Sequence, residues 1–395
     1  MLAAHENTPA STYNVLFVAT LFKMPYRVLR CIAASGATIY VLGTRGAKDL
    51  RCSRYCKEYF STTRLVDGRH DRALAEEINF HVQRLNINFV LAGDAPATRS
   101  LIAIRDLVTC RSFPSPDARQ FDLLNDKWEF TELCATLDLP CPVSQLVDSK
   151  DELIQKIDAG QFAFPVIVKP LSMDAGRGCL TLRQKEHRRR QVASITYAPI
   201  MVQEFIHGEN ISASVYCEEG RVLAFTCYRY ARATFSIFFH RQICADVTKL
   251  VQYLQLSGVI NFDIMLAPSG RIFYLECNPR FFYSIALCML AGINFVQYGL
   301  DPPTTSVEPQ LPTKPITLYL PKAVLASLYA PWKLRGKFSN VLKFLLADPV
   351  PYLLEEIGLE NQIPEAWDAF TASLADRYQR GQALSVLSAT KKPKS

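Results

Sequence analysis

The chain has 395 residues, 49% hydrophobic and 21% charged, which suits a globular protein of about two or three domains. Its twelve cysteines follow no repeat. Only Cys52 and Cys56 approach metal-ligand spacing, with no second pair or nearby histidine, so a zinc site is disfavoured and free thiols in a reducing cytoplasm are expected. The net charge of +7 is uneven.

From the N-terminus, "MLAAHENTPASTYN" lacks the basic start and apolar stretch of a signal peptide. "NVLFVAT" (14–20) reads as a β-branched strand, "PYRVLRCIAAS" as a helix and "TIYVLGT" (38–44) as a second strand. That order implies a parallel sheet with a right-handed crossover. A further helix over 73–85 leads to the strand "INFVLAG" (87–93). The first turn, "TLFKMPY", holds no glycine, whereas a dinucleotide fold calls for Gly-x-Gly-x-x-Gly there, so a nicotinamide enzyme is disfavoured.

"SFPSPD" (112–117) marks a candidate domain boundary. One helix is expected over "ARQFDLLNDKWEFTELCATL", stopped by "LPCP". From Pro165 the texture changes to strands joined by short turns. The uncharged stretch 281–300 has bilayer length, but Ser284, Gly292, Asn294 and Gln297 favour a buried helix, and no transmembrane segment is expected. After Asp301 comes a proline-rich linker and then an amphipathic helical appendage.

Two basic runs stand out. Residues 185–191 read "KEHRRRQ", and between Glu308 and Asp348 lie Lys314, Lys322, Lys333, Arg335, Lys337 and Lys343 with no acidic residue. Such runs can meet nucleic acid, a membrane surface or an anionic substrate; more often they are solvated helix faces, and no nucleic-acid partner is expected.

Three stretches carry chemistry. In "FPVIVKPLSMDAGRGCLTL" (164–182) a strand ends in Lys169, and a loop with Ser172, Gly176 and Gly178 lets backbone N–H groups approach a phosphate. In "IMVQEFIHGENISASVYC" (200–217) a strand runs into Gln203 and Glu204, flanked by apolar residues such as Ile206, a setting for a flat heterocycle. Glu209 follows and could hold two sugar hydroxyls. In "GVINFDIMLAPSGRIFYLECNPR" (258–280) two strands flank the turn signal "PSG". A two-residue loop would set Asp263 opposite Glu276; a four-residue loop would leave them diagonal on the same face. With Asn278 they form an oxygen-rich cluster suited to Mg²⁺.

Together these motifs resemble the ATP-grasp enzymes, in the branch of carbamoyl-phosphate synthase and biotin carboxylase, over roughly residues 14–300. The resemblance implies a mixed α/β and α+β fold: a parallel α/β domain (12–117), a linker helix and small lid (118–198), a central antiparallel-sheet domain (199–300) and a helical C-terminal appendage (301–395). It makes Lys127, in "NDKWEF", and Lys169 the two ATP-contacting lysines. Gln203 stands where many members have an adenine-contacting glutamate, and the Glu204 and Ile206 backbones would line the base. Glu209 matches the ribose carboxylate, Asp263, Glu276 and Asn278 the Mg²⁺ ligands (Mn²⁺ being able to replace it), and Arg280 an arginine near the transferred phosphoryl group.

The implied reaction is ATP-dependent ligation. A small carboxylate becomes an acyl phosphate and is captured by an amine, with ADP and phosphate released, in a cytoplasmic enzyme that could be a homodimer. The alternative is a nucleotide-binding scaffold or sensor without catalysis. Two departures stand out: glutamine at 203, which can still bond adenine, and Asn261 two before Asp263, where the D-alanine ligase branch has arginine. The second argues against that branch, or moves its anion-stabilising role to Arg280.

Overall fold

A computed structural model describes residues 13–64, 68–172, 176–183, 188–301, 309–312, 314–321 and 339–356. The N-terminal residues 1–12, the loop centre 173–175, Lys185, the linker 302–308, Lys322, Lys333, Arg335 and Lys337 lie outside the described residues. The chain forms two compact units: Met1–Phe113 with Phe281–Thr305 and Leu318–Ser395, and Pro114–Arg280 with Ser306–Thr317.

The first unit opens with β1 (Asn14–Ala19), α1 (Lys23–Ala34), β2 (Thr38–Gly43), β3 (Cys56–Ser61), α2 (Arg72–Leu85), β4 (Phe89–Ala92), α3 (Ala95–Ala103) and β5 (Arg111–Ser112). All pairings are parallel, in the order β3-β2-β1-β4-β5. Strands β1, β2 and β4 are buried almost throughout, as continuous apolar runs in a parallel sheet should be. The edge strand β3 escapes sequence reading because "CKEYFS" exposes Lys57 and Glu58.

The glycine-free turn after β1 has a structural reason. The Asp94 carboxylate, 1% exposed, accepts from the backbone N–H of Thr20 at 2.7 Å and Leu21 at 3.0 Å while capping α3 through Ala97 at 3.1 Å. Those donors cannot also cradle a pyrophosphate. Asp94→Ala orphans three backbone donors and is expected to cost about 2 to 4 kcal/mol, read from the urea midpoint.

The second unit carries α4 (Ala118–Asn125), α5 (Lys127–Thr136), β6 (Ser144–Val147), α6 (Lys150–Asp158), β7 (Val166–Lys169), β8 (Leu180–Leu182), α7 (Arg188–Ala193), β9 (Ile200–Glu204), β10 (Glu209–Glu218), β11 (Arg221–Ala231), β12 (Thr234–Phe238), α8 (Arg241–Leu254), β13 (Gly258–Leu266) and β14 (Ile272–Asn278). The single helix expected over 118–137 is two. Asp126 leaves the helical region (φ −80°, ψ 122°) and its carboxylate caps a new helix through the N–H groups of Trp128 and Glu129. Lys127 thereby becomes the first residue of α5.

A four-stranded sheet, β6-β9-β7-β8, packs on α6 and α7 through Val147, Leu153, Val166, Val168 and Val192. A larger sheet runs β14-β13-β10-β11-β12 and ends at β15 (Ile316–Tyr319). One of its faces packs on α5 and α8, whose Ile243, Val247, Leu250 and Val251 form a helical stripe. Fully burying each such side chain contributes about 1.5 to 3 kcal/mol. Strand alternation puts Ser212, Ser214, Asn261 and Asp263 on the opposite face, which gives this unit a polar surface above a dry one.

The chain then returns to the first unit. The one helix expected over 281–300 is again two, α9 (Ile285–Leu290) and α10 (Phe295–Leu300). Gly292, at φ 101°, turns the chain between them, a conformation that costs glycine nothing. Both pack on α1, where the Asn294 amide donates to the Cys31 carbonyl at 3.0 Å. Helices α11 (Ser339–Ala347) and α12 (Pro349–Glu356) are tied to α1 by a buried Arg27–Glu355 ion pair at 2.8 Å and by Arg30 donating to the Phe344 carbonyl at 2.6 Å. Among the described residues no helix is long and apolar enough to cross a membrane, and all twelve cysteines are free. Lys314 and Lys343 are exposed.

Candidate functional site

The site is built wholly within the second unit, from the β13–β14 hairpin outward. Ala267 N–H donates to the Arg271 carbonyl at 2.8 Å, closing the three-residue loop Pro268-Ser269-Gly270. Neither a two- nor a four-residue loop forms. The odd loop length offsets the register by one, and a bulge at Leu275 restores it, so Asp263 faces Glu276 and Asn261 faces Asn278. The bulged Leu275 has no cross-strand partner, and its carbonyl accepts from Lys169 Nζ at 3.1 Å.

Asp263 accepts from Ser212 Oγ at 3.0 Å and from Asn278 Nδ2 at 3.4 Å, while Arg280 donates to Asn278 Oδ1 at 2.9 Å. Burial, then the facing Glu276, pushes the Asp263 carboxyl up to about 7. Burial acts on Glu276 in the same sense, but Lys127 and then Lys169 attract its charge and hold it below the ordinary carboxylate range. Lys127 Nζ lies 3.3 Å from Glu276 Oε2. The pair is therefore unequal: Glu276 stays ionised and Asp263 resists.

Lys169, at the end of β7, is 5% exposed, and burial followed by the like charge of Lys127 pulls its ammonium down to about 8 against the attraction of Glu276. Its second acceptor is Gln203 Oε1, at 2.9 Å. Beyond β7, Gly176 and Gly178 adopt φ 68° and 76°, and the Gly178 carbonyl accepts from Tyr197 OH at 2.6 Å. Ser172, on the same loop, is exposed.

A cleft of about 590 Å³ joins these parts, lined among others by Lys169, Gln203, Ile206, Ser212, Asp263 and Glu276. Glu204 also lines it, its own N–H committed to the Val143 carbonyl at 2.8 Å. Gly208 lets the segment after β9 lie against β13, because a Cβ there would collide with the Leu266 carbonyl oxygen. Glu209 sits at the start of β10, paired with Arg229 at 3.0 Å.

The structure thus brings Lys127, Lys169, Gln203, Asp263, Glu276, Asn278 and Arg280 together. Sequence reading missed Cys179, which lines the cleft, Ser144, whose hydroxyl accepts from Gln203, Ser212 and the Leu275 carbonyl. Ser212 had a signal, since it alternates with buried apolar residues along β10; the carbonyl had none, because a bulge leaves no mark in side-chain pattern. Among the described residues no three His, Cys, Asp or Glu side chains gather as a metal cluster. The donor set is two carboxylates and the second lone pair of the Asn278 amide oxygen, all hard oxygens, which fits a cation that completes its shell with water and phosphate.

The family model for the ATP-grasp domain matches residues 124–284. No curated protein sequence matches the chain. Among solved structures, an ADP complex of N5-carboxyaminoimidazole ribonucleotide synthetase superposes with a TM-score of 0.62 at 13% identity, covering 82% of this chain and 86% of that one. The biotin carboxylase domain of Hydrogenobacter thermophilus 2-oxoglutarate carboxylase, solved with MgADP, ADP and bicarbonate, gives 0.57 at 15% identity, with 75% and 72% covered. An L-amino acid ligase from Bacillus licheniformis gives 0.54 at 15% identity, with 73% of each chain covered. At such identities the likeness is one of fold.

Proposed function

We propose that the chain, whose residues 124–284 match the family model for the ATP-grasp domain, is an ATP- and Mg²⁺-dependent ligase that activates a small carboxylate as an acyl phosphate and couples it to an amine. The observation that carries this reading is the facing pair Asp263 and Glu276, which lines one cleft together with Lys169, while Lys127 pairs with Glu276 beside it. Phosphoryl transfer asks little covalent chemistry of a protein; it asks for position and for neutralised charge.

In this reading Lys127 and Lys169 meet the phosphates, and the backbone around Gly176 and Gly178 lies over them. The Glu204–Ile206 backbone lines the base and Glu209 holds the ribose, exchanging its Arg229 partner for hydroxyls. Asp263, Glu276 and Asn278 would hold Mg²⁺, which when bound neutralises charge on the phosphates. Arg280, already fixed on Asn278, stands beside that position to steady the acyl phosphate oxygens. Substrate binding that shuts the cleft to water would protect the acyl phosphate from hydrolysis.

The test is ADP release by the full chain against a panel of carboxylates and amines. Release that requires one of each supports ligation. Tight MgATP binding with no ADP under any pairing would mark a nucleotide-binding scaffold instead.

Metal affinity should depend on pH. The raised Asp263 carboxyl must lose its proton before both carboxylates can serve, so Mg²⁺ affinity is expected to climb as pH rises through about 7 and to level off above it. Without metal the sign reverses: a raised carboxyl stabilises the fold at low pH, and that contribution fades as pH climbs towards 7. Thermal melts with and without MgCl₂ at pH 6 and pH 8 should show the larger metal-induced rise at pH 8.

A further inference from the structure

Gln203 lies on β9, diagonal to Lys169 across the β7–β9 pairing, in which Lys169 faces Met201 and Ile167 faces Gln203. That diagonal lets the long lysine reach the amide. Lysine only donates, so the amide must turn its oxygen toward Nζ, and the contact is 2.9 Å. The other end of the amide is fixed too. Gln203 Nε2 donates to Ser144 Oγ at 3.0 Å, and Ser144 Oγ donates to the Pro142 carbonyl at 2.9 Å. Gln203 is 3% exposed, and the chain of bonds runs from Lys169 to a backbone anchor.

We infer that Gln203 is a positioning residue for Lys169, holding the ammonium between its own amide oxygen and the bulged Leu275 carbonyl and leaving the third N–H for a phosphate oxygen. Both acceptors are neutral. A glutamate at 203 would form an ion pair with Lys169 and spend its charge, whereas glutamine fixes the direction of the ammonium and leaves the charge available. Recognition of the base then falls to the backbone of the Glu204–Ile206 segment. This inference rests on the nucleotide-site reading, and one arm of its test is independent of nucleotide.

That arm follows acetylation of the apo full-length chain by a succinimidyl ester, with Lys169 counted against Lys127 by mass spectrometry. In Gln203→Leu the ammonium loses an acceptor and its tether, and Lys169 should react at least threefold faster. In Gln203→Glu it gains an ion-pair partner and should react at least threefold more slowly. Circular dichroism confirms that each variant is folded, and Gln203→Glu keeps the shape should Gln203→Leu fail. Unchanged Lys169 reactivity in both variants overturns the inference.

The second arm compares ATP with adenosine by calorimetry. Gln203→Leu should weaken ATP about tenfold, leave adenosine unchanged, and add nothing further to Lys169→Met. Equal losses for ATP and adenosine would make Gln203 a base-reading group and overturn the inference. A wild-type chain that binds neither sinks the nucleotide site, while the acetylation arm still decides whether Gln203 sets Lys169.

Discussion

Glu276→Gln is expected to lower ADP formation by about a thousandfold in a protein that still folds, because it removes a charge from the place where phosphate charge must be countered. The side chain keeps its volume, so the hairpin packing around Cys277 is not disturbed. What changes is electrostatic. Lys127 loses the carboxylate at 3.3 Å, and Asp263 loses the facing charge that helps push it up. Asp263 should therefore ionise more readily in the variant, yet a single carboxylate remains where two stood. Mg²⁺ affinity should drop with turnover, which separates this result from simple loss of a substrate contact. Glu276→Asp restores the charge on a shorter arm and should recover part of the rate. Near-normal ADP formation by folded Glu276→Gln would sink the metal assignment.

How much of this could be read in advance differs by element. That Asp263 and Glu276 share one face was legible from side-chain period two and the turn residues, but the direct pairing depended on a loop length the sequence left open. The loop has three residues and a bulge absorbs the difference. Breaks in helices were also hidden. At Asp126 the apolar pattern runs on without pause, and only the capping carboxylate shows why the chain restarts there with Lys127 at the head of a helix. At Gly292 the same holds, an uncharged run of twenty residues being cut by one backbone angle. Gln203 shows a further limit: its place in the motif was readable, but its partners depend on Ser144 and Lys169, distant in sequence and joined only by the small sheet.

Lys169→Met is expected to weaken MgATP binding about a hundredfold while leaving the empty protein as stable as before, or more so. A desolvated charge that meets phosphate only in the complex gives this combination. Holding the ammonium down from 10.5 to about 8 corresponds to a cost of order 3 kcal/mol at neutral pH. Methionine removes that cost but leaves the Gln203 and Leu275 oxygens unmatched, which costs about 1 to 3 kcal/mol. The two nearly cancel, so the urea midpoint should stay level or move up. The wild-type lysine also predicts a pH signature. Above pH 8 the free protein increasingly holds Lys169 neutral, so ATP binding must take up a proton there, and affinity should fall as pH rises. Calorimetry in two buffers of different ionisation enthalpy would register that uptake in the wild type and its absence in Lys169→Met. If the variant unfolds early and binds ATP as weakly as any destabilised chain, Lys169 supports the fold; if it is stable and binds ATP normally, the phosphates lie elsewhere.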